Sequence, residues 1–170
     1  MAAGCDLVIW VVPAHRADRE IDRAALAELR RHFADRPDRR PPPLLLVLSH
    51  VDQLRPWHEW KPPYDLTAPT QPKAVSMRDA LAAAAADLGF ALPDAVPVCL
   101  EPSVGLYNLD ALWGRILELV PDARQTSLLR LLRERQGEQR WKRLWRQAAN
   151  AGRVVAGEVR RRAGGDKGSG

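Results

Sequence analysis

The run Pro43-Leu44-Leu45-Leu46-Val47-Leu48 constrains this chain most. It shows no polar alternation and stops abruptly at Ser49-His50-Val51-Asp52. A strand that is apolar on both sides must be buried on both sides, which is the habit of parallel sheets. Open α/β sheets bind ligands beyond the carboxyl ends of such strands. Ser49, His50 and Asp52 therefore mark the first place to look for a site.

The flanking chain repeats the same logic. Residues 6–12, DLVIWVV, read as a second buried strand, ended by Pro13. From Asp18 to Ala34 the apolar residues Ile21, Ala24, Ala25, Leu26, Leu29 and Phe33 recur at helical spacing. Asp18 is placed to cap that helix, with Glu20 and Asp22 at the positive end of its dipole. Residues 35–42 form a polar, proline-rich loop before strand 43–48. Residues 53–73 hold Pro56, Pro62, Pro63, Pro69 and Pro72, which exclude a helix interior or a central strand. Trp57, Trp60, Tyr64 and Leu66 give this loop a small core of its own.

The alanine-rich run Ser76–Leu88 predicts a helix, with Ser76 and Asp79 as a capping box and Gly89 at C′. Ala95–Leu100 reads as a third strand, irregular or at an edge because of Pro97. Leu109, Leu112, Trp113, Ile116, Leu117 and Val120 mark a last helix, ended by Pro121. Alternating strands and helices imply an α/β fold, a partial three-layer parallel sheet with helices on both faces. Three strands make a thin sheet.

Composition sets the limits. The chain has 170 residues, 46% hydrophobic and 28% charged, which suits a globular domain rather than disorder. No apolar run approaches the roughly 20 residues of a membrane-spanning helix. The first residues show no basic segment followed by a long apolar one, so no signal peptide is expected. Cys5 and Cys99 lack metal-ligand spacing and are expected to be reduced, buried residues of a cytosolic protein. His50, Asp52, His58 and Glu59 also fit no standard metal spacing.

The net charge of +5 is unevenly spread. Residues 123–163 carry twelve Arg or Lys against three Glu, whereas residues 1–122 carry thirteen against seventeen acids. The basic segment continues as helix, with Trp141, Leu144, Trp145 and Ala148 on one apolar face. The end, GGDKGSG, reads as a flexible tail.

Strand–SHVD, then a helix, then strand–CLEP and YNLDALW resembles the second half of the G domain of the Era-like P-loop GTPases, of the TRAFAC class. The resemblance covers residues 6–120. In that family a buried strand ends in an (Asn/Thr)-Lys-x-Asp motif that recognises guanine, and Ser49-His50-Val51-Asp52 stands in its place. Guanine presents N1–H and N2–H₂ as adjacent donors, and one carboxylate accepts both. The resemblance gives this role to Asp52. It gives Ser49 the task of tying neighbouring loops together by hydrogen bonds. His50 replaces a lysine whose stem covers the base, and an imidazole can stack there instead. The following LRPWHEWKPPYDL resembles a bacterial subset with an aromatic, proline-rich insertion.

The family's second guanine motif, Ser-Ala-Lys, aligns with Cys99, Leu100 and Glu101. Its backbone N–H donor to guanine O6 would be that of Leu100, and Glu101 in the lysine position is a departure. Tyr107-Asn108-Leu109-Asp110 resembles the start of the family's last helix, with Asn108 as N-cap. The phosphate-binding G-x-x-x-x-G-K-[ST] and the Asp-x-x-Gly switch motif are absent from these residues.

The resemblance thus implies residues 1–121 as the C-terminal half of a GTPase domain, 122–163 as a basic amphipathic helical extension and 164–170 as the tail. GTP or GDP would be held by its guanine end alone. Mg²⁺ and hydrolysis would belong to a complete parent domain, a molecular switch, and this chain alone is expected to be inactive. Its expected partners are guanine nucleotide and a missing N-terminal half or a second copy, and its expected place is the cytoplasm or the inner membrane surface. A different class stays open: a non-enzymatic α/β interaction module whose basic helices bind anionic membrane or RNA. A third possibility for those helices is that they pack on the α/β part with their arginines solvated.

Overall fold

The computed structural model describes residues 5–35, 41–121 and 124. The chain forms two compact units, residues 1–112 and 113–170. The basic segment expected over 122–163 and the tail lie outside the described residues, apart from Arg124.

The first unit is an α/β arrangement. Its strands are β1 (Val8–Pro13), β2 (Leu44–Ser49) and β3 (Ala95–Pro97), all parallel, in the order β1-β2-β3. Each parallel step is made through a helix: α1 (Glu20–Ala34) between β1 and β2, and α2 (Pro72–Leu88) between β2 and β3. Parallel strands need such crossovers, because a tight turn can only reverse the chain.

The central strand behaves as its sequence requires. Leu45, Leu46 and Leu48 are fully buried, and Val47 is nearly so. Trp10, Val12, Leu46 and Leu48 share the face that meets Leu26 of α1 and Met77, Leu81, Ala84 and Leu88 of α2. The two helices touch each other, so both lie on this face. The opposite face is covered at Leu45, Val47, Val96 and Val98 but bare on β1, where Ile9 and Val11 are 42% and 56% exposed.

Local details depart from the sequence expectations for identifiable reasons. Arg19 occupies the N-cap position of α1, yet the Asp18 carboxylate still accepts the Glu20 N–H at 3.1 Å. The stripe of α1 that reaches the core is narrower than expected, since Ile21 is 84% exposed. The helix α2 starts at Pro72, four residues before Ser76, because proline suits the first helical turn. Ser76 and Asp79 therefore sit inside the helix and form no capping box; Asp79 pairs instead with Arg78. Gly89 closes α2 with φ 67°, as its C′ position requires.

β3 ends at Pro97, whose ring nitrogen has no hydrogen for the ladder. One further bond, Val98 N–H to Leu48 O at 2.9 Å, carries the chain on, and Cys99 then pairs antiparallel with Tyr107. The last helix, α3 (Leu109–Leu119), spans the boundary of the units. Within the second unit its described part holds an Arg115–Glu118 ion pair one turn apart. Among the described residues no helix is long and apolar enough to cross a membrane.

Candidate functional site

The site lies where β2 ends. Ser49 is buried, and its hydroxyl is 3.2 Å from the Val12 carbonyl oxygen, which ties the tips of β2 and β1 together. His50 then takes a left-handed conformation, φ 57°, which reverses the chain direction. A single 3₁₀ turn, Val51–Gln53, follows, anchored by the fully buried Val51. This places Asp52 in the middle of a short turn.

Ser49 Oγ is also 2.9 Å from His50 Nδ1. A serine has one hydroxyl proton. If it is donated to the Val12 carbonyl, Nδ1 of His50 must carry its own proton and donate to Oγ. A serine this buried has no access to a substrate, so the pair is a tether rather than a nucleophile and its base.

Asp52 stands between two groups that no local pattern joins to it. Lys73, in the first turn of α2, is completely buried and donates from Nζ to the Asp52 carbonyl at 2.7 Å and to the Leu54 carbonyl. Burial pulls the Lys73 ammonium below its ordinary range, while the charges of Asp52 and Glu59 act the other way. The ammonium also lies 5.6 Å from the centre of the Trp60 ring.

Cys99 approaches from the end of β3. Burial first, and then hydrogen bonding with the Asp52 carboxylate, push its thiol up from 9.0 to about 11. The thiol is therefore neutral and a donor, not a nucleophile. The Asp52 Oδ1 atom is buried with no hydrogen-bond partner among the described residues.

Leu100 is 52% exposed, just beyond the Cys99–Tyr107 bridge. The Glu101 carboxylate turns back into its own loop and accepts from the Ser103 hydroxyl at 2.7 Å and its N–H at 3.0 Å. These bonds hold it below the usual carboxylate range. The structure thus brings Ser49, His50, Asp52 and Cys99 to one end of the sheet, with Leu100 on the adjoining segment.

The remaining expectations divide. Trp60 and Tyr64 join Tyr107 in a cluster with ring centres 5.7 to 5.9 Å apart, continuous with the main core rather than separate from it. Trp57 is not part of it: this ring is 66% exposed and lies under the Arg55 guanidinium. Asn108 accepts the first bond of α3 on its carbonyl, but its side chain does not cap the helix. Its Nδ2 donates to the Pro97 carbonyl at 2.9 Å, and φ is 63°. Cys5 is exposed, against the expectation of burial, whereas Cys99 is buried. No group of three or more His, Cys, Asp or Glu able to hold a metal ion occurs among the described residues.

Sequence reasoning gave no role to the side chains of Lys73 and His15, and placed Tyr107 only at the start of the last helix. Lys73 did leave a trace: a cation at the positive end of a helix dipole is unfavourable and calls for a reason. His15 follows β1, and its ring meets that of His50 edge-on at 5.6 Å. Together these features define an α/β unit with a polar cluster at the carboxyl end of its parallel sheet. No family model, curated protein or solved structure matches the chain.

Proposed function

We propose that the Ser49–Asp52 turn and the Cys99–Glu101 segment form the guanine-recognising edge of a nucleotide site of the Era-like P-loop GTPase type. The observation that carries this reading is the Asp52 carboxylate. One of its oxygens is buried without a donor among the described residues, at the end of the central strand of a parallel sheet. An unsatisfied buried acceptor costs about 1–3 kcal/mol, which a ligand N–H can offset. Guanine offers two such donors side by side.

The surroundings support the same role. The Asp52 carboxylate helps to keep the buried Cys99 thiol protonated, and Lys73 Nζ donates to the backbone carbonyl of Asp52. His50 is exposed and offers a flat ring beside them. Recognition of the base is the whole of the chemistry proposed for these residues. Phosphate binding, Mg²⁺ and hydrolysis require the glycine-rich and switch motifs that this sequence does not contain.

The test is a titration of the protein with guanosine, adenosine and xanthosine, followed by amide NMR. Guanosine is expected to move the Asp52 and Leu100 resonances, and adenosine to leave them in place. Asp52→Asn is expected to reverse the preference towards xanthosine, whose C2 carbonyl accepts from an amide. Equal responses to guanosine and adenosine would remove Asp52 from this role.

A further inference from the structure

A second feature lies beside the guanine edge and is not explained by it. An open cleft of about 410 Å³ runs between the segment after β1, the turn after β2 and the middle of α2. That volume is within the range of roughly 300–1,000 Å³ typical of small-molecule sites. His15, Arg16, Arg19 and Arg55 line it, and among the described residues no Asp or Glu does. The rest of the lining is Gln53, Trp57, Leu54 and alanines, among them Ala80 and Ala83 of α2.

Two observations point to a ligand. Arg19 is only 7% exposed, and its buried Nε–H has no hydrogen-bond partner among the described residues. The rest of its guanidinium is only loosely engaged, through Nη1, with the Ala17 carbonyl at 3.3 Å and the Asp87 carboxylate at 3.6 Å. A buried cation with an unused donor is an unfinished interaction, and an oxyanion completes it. Secondly, Trp57 exposes most of its ring at the same cleft, although large aromatic side chains are normally well buried. The Arg55 guanidinium, 5.2 Å from the ring centre, adds a second cation at that rim.

We infer that this cleft binds a small organic oxyanion, a carboxylate or phosphate group carried on an aromatic body. The charged group sits among Arg16, Arg19 and Arg55, where planar guanidinium groups match its paired oxygens. The aromatic body lies between the Trp57 ring and the alanines of α2. His15 borders both this cleft and the guanine edge through its contact with His50. The cleft does not include Asp52, so the inference stands independently of the guanine reading.

The experiment uses the protein with phenyl phosphate and benzoate as probes, and inorganic phosphate and phenol as controls. Binding is followed by the indole N–H resonance of Trp57 and the Nε–H resonance of Arg19. Saturable binding of at least one aryl anion, at least tenfold tighter than both controls, is expected, and the stronger of the two probes identifies the preferred head group. Arg16→Glu is expected to weaken it at least tenfold by reversing a charge at the exposed rim. Ala83→Leu is expected to do the same by filling the cleft, while keeping a strong helix former on an exposed position. Inorganic phosphate binding as tightly as the aryl anions, or failure of both probes to saturate, would overturn the inference. So would an affinity indifferent to both substitutions.

Discussion

Lys73 Nζ donates to the backbone carbonyl of Asp52 at 2.7 Å, from a position with no exposed surface. A helix residue thus holds the strand-end turn from beneath, 21 residues further along the chain. The same ammonium satisfies the Leu54 carbonyl. The Lys73→Met variant keeps the stem but leaves two partly buried carbonyls without a donor. At about 1–3 kcal/mol for each unsatisfied group, a loss of about 2–6 kcal/mol is expected in urea unfolding. An unchanged midpoint would show that water replaces the ammonium without cost.

Cys99 predicts a decline in stability in alkali. Burial, aided by the Asp52 carboxylate, raises the folded thiol to about 11 from 9.0. The unfolded chain therefore loses this proton first. The contribution is fully present below pH 9 and is lost as pH rises to about 11. It amounts to on the order of 2 kcal/mol across that window. Lys73 acts in the opposite sense, since its lowered value makes the folded state release a proton first. Tyr107, raised by burial, acts in the same sense as Cys99. The comparison is therefore with Cys99→Ser, which keeps a donor to Asp52 but does not titrate in this window. Its stability should fall less between pH 9 and 11 than that of the parent chain.

Periodicity and punctuation made the frame legible. The uninterrupted apolar run at 43–48 could only be a strand covered on both faces, and Gly89 could only end a helix. The strand-end position of Ser49, His50 and Asp52 followed from that run alone. Of what surrounds Asp52, Cys99 was expected there only through the family resemblance, and Lys73 was not legible, because it reaches Asp52 across 21 positions of sequence and obeys no local spacing. Trp57 and Trp60 show the same limit. Both lie in one aromatic, proline-rich loop, yet Trp60 finds the Val104 carbonyl for its indole N–H while Trp57 bonds to Gln53 and stays outside. Periodicity carries no information about which distant segment a loop side chain will meet.

Tyr64 organises that loop through its hydroxyl. It donates to the Glu59 carbonyl and accepts from the Lys61 N–H, both at 2.5 Å, while its ring packs on Trp60 and Tyr107. Tyr64→Phe keeps the ring and removes both bonds. Each such bond contributes about 0.5–1.5 kcal/mol, so a loss of about 1–3 kcal/mol is expected by chemical denaturation. The amides of residues 59–61 should also exchange faster with solvent while those of β2 are unchanged. Equal acceleration in both regions would mean that the loop and the sheet unfold as one.

Gly89 and Arg30 form the last testable pair. Gly89 has φ 67°, and a Cβ built there would lie 3.3 Å from Arg30 Nη1. Arg30 reaches across from α1 to donate to the Leu88 and Gly89 carbonyls at the end of α2, at 2.9 and 3.0 Å. Its guanidinium also lies 5.7 Å from the centre of the Phe90 ring. Gly89→Ala meets two penalties, the left-handed backbone, at about 1–2 kcal/mol, and the crowding of Arg30. Arg30→Ala removes the second but not the first. The double variant should therefore be more stable than the two single losses imply, by about 0.5 kcal/mol or more in a double-mutant cycle. Strict additivity would show that the guanidinium moves aside freely and that backbone conformation alone requires glycine at this position.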